Sequence, residues 1–169
     1  MNPNKTEDFK LRDWQKIIIN CINGHDDFVG SESFQSLSDY AINEASEVKV
    51  KFPKGYGNST LTAYVCSNYP SLFIYLNSEH LKEIEQIQSE WGWTMNKNTT
   101  VLSVFELLYT MNHNASVRSQ YYVTMDQMKS KFADKKVVIV DSVSKMPGGV
   151  EAIENVILTL AKGSTIFLG

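Results

Sequence analysis

At 169 residues, 43% hydrophobic and 21% charged, the chain is sized for one domain with a full hydrophobic core. A formal net charge of −3 carries no basic footprint, which argues against a large exposed nucleic-acid surface and leaves open only a channel built by several subunits. No apolar run is long enough to span a bilayer and the first residues hold no signal core, so a soluble, cytoplasmic protein without a membrane partner is expected.

Residues 1–8 are polar and expected to fray. Phe9 to Ile19 then becomes apolar at helical spacing, with Asp13 the expected N-cap of a helix ending near Cys21 or Ile22. Cys21 and Cys66 sit in apolar helical contexts without metal-type spacing and read as reduced core residues. Asn23 to Asp27 is a loop. A second helix is expected from Ser36 to Glu44, on Leu37, Tyr40 and Ala41 at i, i+3 and i+4.

Val48-Lys49-Val50-Lys51-Phe52 alternates apolar and polar residues, the two-residue period of a strand. Pro53-Lys54-Gly55-Tyr56-Gly57-Asn58-Ser59-Thr60 follows, and Leu61 to Cys66 reads as a buried helix. Strand, glycine-containing turn, Ser-Thr and helix form the frame of a phosphate-binding loop. Small residues let backbone N–H groups turn onto an anion, and the helix N-terminus adds its partial positive charge. Gly55, Gly57, Asn58, Ser59 and Thr60 are the expected cradle. A loop of this kind ordinarily carries lysine directly before Ser/Thr; here that position is Asn58.

Leu72 to Leu76 is a continuous apolar run, the pattern of a strand buried on both faces. Ser78 is the expected cap of a helix over Glu79 to Trp91, with Leu81, Ile84 and Ile87 on one side. Asn96 to Thr100 reads as loop. Val101 to Tyr109 fits either a strand opening into a helix or a single helix. Tyr121 to Lys131 reads as helix. Lys135 to Asp141 is a second buried strand ending in a carboxylate, and Pro147-Gly148-Gly149 then breaks the chain, as a flexible switch loop or a plain turn. A helix over Glu151 to Ala161 and a buried strand at Thr165 to Leu168 complete the order. Strands alternating with helices in one domain predict an α/β fold with a mostly parallel sheet flanked by helices.

In such a sheet ligands bind beyond the carboxyl ends of the strands. The phosphate-type loop leaves one strand there and Asp141 another. An aspartate so placed can hold the water shell of Mg²⁺, with the Ser59 hydroxyl taking a further coordination site. His25, His80 and His113 are scattered and read as surface residues, with no metal site among them. Trp91-Gly92-Trp93 and Tyr121-Tyr122 can stack bases, cap a core edge or make a protein contact.

Leu11-Arg12-Asp13-Trp14-Gln15, Lys54 to Thr60, Val137 to Asp141 and Thr165 to Gly169 occur in the order of a helicase-like P-loop ATPase core. The set resembles the ATPase domain of tailed-phage large terminases, the DNA-packaging motors, and more loosely the first RecA-like domain of superfamily 2 helicases. The resemblance implies a single RecA-like, three-layer domain over residues 1–169, with 23–46 an insertion between the glutamine motif and the first sheet strand. It implies ATP and Mg²⁺ as cofactors, a viral protein in the host cytoplasm, double-stranded DNA reached through a larger assembly, and a protein partner. It gives Gln15 the adenine edge, Ser59 and Asp141 the Mg²⁺, and Lys54 the displaced cation that some relatives carry early in the loop; Lys51 is a second candidate.

Two departures bear on activity. Asn58 stands where the family has its lysine, and Ser142 where it has the glutamate that activates water. A lost charge-assisted contact costs about 1.5–3 kcal/mol in binding, and lost general-base help about 10²–10⁴-fold in rate. The expectation is a nucleotide-binding ATPase-like domain with weak or no hydrolysis. The alternative is a catalytically inactive pseudo-ATPase acting as a protein-binding or regulatory module.

Overall fold

Three apolar runs, Ser71–Tyr75 (β3), Val137–Val140 (β5) and Ser164–Leu168 (β6), form the middle of a six-stranded sheet. Their side chains are buried on both faces, which is why the sequence shows runs rather than alternation. The computed structural model describes residues 9–23, 40–43, 47–50, 57–111, 125–146, 148 and 151–169. The remaining strands are Tyr40–Asn43 (β1), Glu47–Val50 (β2) and Thr100–Ser103 (β4). The order across the sheet is β1-β2-β6-β5-β3-β4. β2, β6, β5, β3 and β4 pair in parallel, and only β1 is antiparallel, against β2.

The helices are Asp13–Ile22 (α1), Asn58–Asn68 (α2), Ser78–Trp91 (α3), Val104–Met111 (α4), Met125–Phe132 (α5) and Glu151–Leu160 (α6). Strand periodicity sorts them into two outer layers. Phe73, Val137, Ile139, Ile166 and Leu168 point to one face and pack against Trp14 and Ile18 of α1, Leu61 and Val65 of α2 and Ile84 of α3. Leu72, Ile74, Val138, Val140 and Phe167 point to the other and meet Leu107 of α4, Met128 and Phe132 of α5, and Ile153 and Ile157 of α6. Each fully buried side chain of this size contributes about 1.5–3 kcal/mol by leaving water. The chain is therefore an α/β fold: a mostly parallel sheet between two helical layers.

Local chemistry sets the helix ends. α3 begins after Asn77, whose side chain accepts a hydrogen bond from the His80 N–H at 2.9 Å. It ends at Gly92, at φ +72°, where the Gly92 N–H bonds Ser89 O and the Trp93 N–H bonds Gln88 O, a Schellman arrangement. Asn77 thus takes the capping role expected of Ser78. At α1, Asp13 is the first helical residue and not the cap; the Gln15 side chain reaches back to the Arg12 N–H at 2.8 Å. This is one half of a capping box.

One expectation needs correction. Tyr40–Asn43 is strand and not the middle of a helix: each residue pairs in register with Glu47–Val50, from Tyr40 against Val50 to Asn43 against Glu47. Three apolar residues at helical spacing are too short a signal to outweigh a ladder of backbone bonds at an open sheet edge. Apart from Asn23, this strand is the described part of the 23–46 segment. Of the two alternatives open for Val101 to Tyr109, the structure has the strand that opens into a helix, β4 into α4, with the strand starting at Thr100. β4 gains its ladder from β3, pairing Leu72 with Thr100 through Tyr75 with Ser103.

The aromatic residues around α3 are engaged with one another. Phe9 stacks on Tyr64 at 5.4 Å and meets Trp91 and Trp93 edge-on at 5.1 and 4.8 Å. Trp91 and Trp93 stack at 5.8 Å. They cap the edge of the core and tie the segment before α1 to α2 and α3. Tyr121-Tyr122 lies outside the described residues. Among the described residues no helix is long and apolar enough to cross a membrane.

Candidate functional site

β3 and β5 are parallel neighbours whose chains leave toward opposite faces of the sheet, β3 into α3 and β5 toward α6. Such a switch opens a crevice beyond the carboxyl ends of the strands. Asp141 is the first residue after β5 and sits there 2% exposed. Its Oδ2 accepts a hydrogen bond from the Ser59 hydroxyl at 3.2 Å and from His80 Nε2 at 3.2 Å; its Oδ1 accepts from the Ser142 N–H at 2.7 Å. Ser59 lies in the first turn of α2 and His80 in the first turn of α3. Two helix N-termini, with their partial positive charge, therefore converge on one buried carboxylate.

His80 is the main correction to the sequence reading, which had it on the surface. It is 7% exposed. The Leu76 N–H donates to its Nδ1 at 3.1 Å, which leaves the ring proton on Nε2, facing Asp141. The Phe73 ring lies edge-on to it at 5.4 Å. Ser59 and His80 both bond Asp141, and on the same oxygen. The three do not form a nucleophilic relay, in which the histidine would stand between the other two.

The loop that precedes α2 is described from Gly57 onward; Lys51, Lys54 and Gly55 lie outside the described residues. Gly57 has φ +95°, the left-handed region that a residue with a Cβ enters at about 1–2 kcal/mol. Gly57, the N-cap of α2, has no side chain with which to cap the helix. Asn58, Ser59 and Thr60 form its first turn and are half-buried. Gln15 is 2% exposed and donates from Nε2 to Gly57 O at 3.0 Å, while its Oε1 holds the Arg12 N–H. The amide expected at an adenine edge thus clamps α1 to the loop.

Arg12 is the second residue that sequence reading passed over. A Cβ on Gly57 would lie 3.6 Å from its guanidinium carbon. A full positive charge therefore stands beside the N-terminus of α2, although the expected lysine position is Asn58. The only hint in the sequence was that Arg12 shares a motif with Gln15.

Ser142 adopts φ +62°, a conformation that strains a residue with a side chain. The Ser144 N–H bonds Gly169 O at 3.1 Å, tying the turn after Asp141 to the end of β6. Glu151 is exposed at the start of α6. Of the expected site residues, the fold brings Ser59 to Asp141 and Gln15 to Gly57.

Cys66, fully buried in α2, has its thiol pushed well above the usual range by desolvation, with the negative charge of Asp141 adding to the effect. An unfolded thiol ionises near 9.0, the folded one much higher. The unfolded state thus binds fewer protons above that pH, and this group's contribution to stability is full below pH 9 and falls as pH rises. Cys66 should resist a thiol reagent at pH 8 in the native protein and react on denaturation, as peptide mapping after alkylation would show. Labelling at the rate of an unfolded peptide would contradict the packing of α2 against the sheet.

A groove of about 490 Å³ lies at the amino ends of β4 and β5, away from Asp141, and is lined by Lys97, Asn98, Thr100, Asp134 and Lys135. Lys135 is already bonded to Asn98 O and the Thr100 hydroxyl across it. Among the described residues no group of three or more His, Cys, Asp or Glu could hold a metal ion. Magnesium is usually held by one or two carboxylates plus substrate phosphates, so a lone Asp141 beside Ser59 fits its habits.

Fold and site together define an α/β domain with a mostly parallel sheet and a buried polar cluster of Ser59, His80 and Asp141 at its carboxyl edge. No protein-family model, curated protein or solved structure matches the chain.

Proposed function

We propose that the chain is a nucleotide-binding domain of the P-loop ATPase type, akin to the motor core of a phage terminase or helicase, with weak or no hydrolysis. The observation that carries the reading is the 3.2 Å contact between Ser59 and Asp141, 82 residues apart in sequence. It pairs the hydroxyl that follows a glycine turn with the carboxylate that ends a buried strand, as a magnesium–phosphate site requires. The N-terminal dipole of α2 and the nearby Arg12 add the positive field that a polyphosphate needs.

In this reading the amides of Asn58, Ser59 and Thr60, with Gly55 and Gly57, cradle the phosphates, and Arg12 and Lys54 supply charge. A magnesium ion bound by ATP at Ser59 and Asp141 would neutralise the β- and γ-phosphates. Ser142 offers no carboxylate to orient a water, which supports slow turnover. The same two departures, Asn58 and Ser142, favour a second reading: a pseudo-ATPase that binds a protein partner and keeps the fold as a scaffold. DNA contact through a larger assembly belongs to the first reading.

Isothermal titration of ATP and ADP with Mg²⁺ tests both. Under the first reading the protein binds at millimolar or tighter affinity. Arg12→Ala and Lys54→Ala would each then lose roughly 10- to 150-fold, the value of one charge-assisted contact. Absence of heat and of any thermal shift at saturating nucleotide would retire the nucleotide site and leave the protein-binding reading.

A further inference from the structure

We propose that His80 is the positioning residue for Asp141, holding the carboxylate in the orientation that a magnesium-bound nucleotide needs. This rests on the nucleotide reading above and adds to it a residue from α3, outside the loop and the strand that carry the expected motif.

The geometry around the imidazole is over-determined. Nδ1 accepts from the Leu76 N–H in the turn between β3 and α3, the backbone N–H of His80 is held by Asn77 Oδ1, and Phe73 fixes the ring plane edge-on. Only Nε2–H remains, and it points at Asp141 Oδ2, with 6% and 3% of the two side chains exposed. The carboxylate is thereby pinned at three points: by Ser142 on Oδ1, and by Ser59 and His80 on Oδ2. If the Ser59 hydroxyl turns toward a cation, Oδ2 keeps one protein donor, His80. Without it the carboxylate is held only through Oδ1 by the Ser142 N–H, and Oδ2 has no protein donor among the described residues to fix its direction. A metal's ligands are oriented by the hydrogen-bond partners behind them, and losing such a partner typically costs about 10–100-fold in metal affinity.

Two conservative variants separate support of the turn from support of Asp141. His80→Asn places an acceptor where Nδ1 stands and keeps the Leu76 bond, but is too short to reach Asp141. His80→Gln carries an N–H donor as far out as Nε2 and reaches it. The measurement is ADP affinity by calorimetry, with Mg²⁺ and again in EDTA, alongside each variant's thermal midpoint. Expected is a fall of about tenfold or more for His80→Asn with Mg²⁺, no change in EDTA, and a value near wild type for His80→Gln. The same Mg²⁺-to-EDTA ratio in His80→Asn as in wild type overturns the role of His80 and leaves the nucleotide site standing, as does wild-type binding indifferent to Mg²⁺. A wild-type protein that binds no ADP in either condition overturns both. Should His80→Asn fail to fold, His80→Gln decides alone, since loss of the ratio in that variant contradicts the assignment.

Discussion

Gly163→Ala should lower the unfolding temperature by roughly 6–12 °C, taking overpacking at about 3 kcal/mol and about 2–4 °C per kcal/mol for a domain of this size. Gly163 joins α6 to β6, and a Cβ there would meet Lys136 O at 2.1 Å and Lys136 C at 2.7 Å. Both atoms are backbone, so no side chain can swing aside. The same Lys136 O accepts the Ser164 N–H at 3.1 Å, next to the pairing of Val137 with Ser164 that sets the register of β5 and β6. Relief of the clash must push these strands apart where their pairing begins. Thermal unfolding followed by circular dichroism would measure the loss; a midpoint within a degree or two of wild type would mean that the two backbones are not in contact.

Asp141→Ala should abolish the Mg²⁺-dependent part of nucleotide binding and also weaken the fold. The functional loss follows from the proposed site, where Asp141 is the one carboxylate among the described residues that Ser59 reaches. The structural loss follows from the donors left behind. Ser59 hydroxyl, His80 Nε2–H and the Ser142 N–H would all lose an acceptor. A buried donor without a partner costs about 1–3 kcal/mol, and His80 is held too firmly by Leu76 and Phe73 to turn away. Part of this is returned because a buried carboxylate is itself costly to desolvate. Chemical denaturation gives the stability change, and titration with and without Mg²⁺ gives the binding change. Unaltered Mg²⁺-dependent affinity in a folded Asp141→Ala protein would remove Asp141 from the site.

These two changes also mark what was legible in the chain before its structure. Asp141 was readable, because a carboxylate directly after a four-residue run of buried aliphatics stands at a strand's end whatever the topology. Ser59 and Gly57 were readable for the same local reason, a glycine turn followed by Ser-Thr and an apolar helix. Gly163 was not: nothing in Lys162-Gly163-Ser164 tells that the Lys136 carbonyl lies against it. His80 was misread because the charged residues around it in α3 suggest a solvated face, whereas its position in the helix's first turn brings it to the carboxyl end of the sheet. Arg12 was passed over because Gly57, beside which it lies, is distant in sequence.

By itself, the sequence determined the strands that are buried on both faces, the helices with caps or a clear apolar stripe, and the α/β alternation. Those are local matters of side-chain periodicity and backbone preference. The tertiary structure alone decided the strand order β1-β2-β6-β5-β3-β4, the conversion of Tyr40–Asn43 to an edge strand, and the meeting of Ser59, His80 and Asp141. Each depends on which backbone edge or buried donor becomes available across many residues of intervening chain. The free energy of filling it appears only when the sheet has formed.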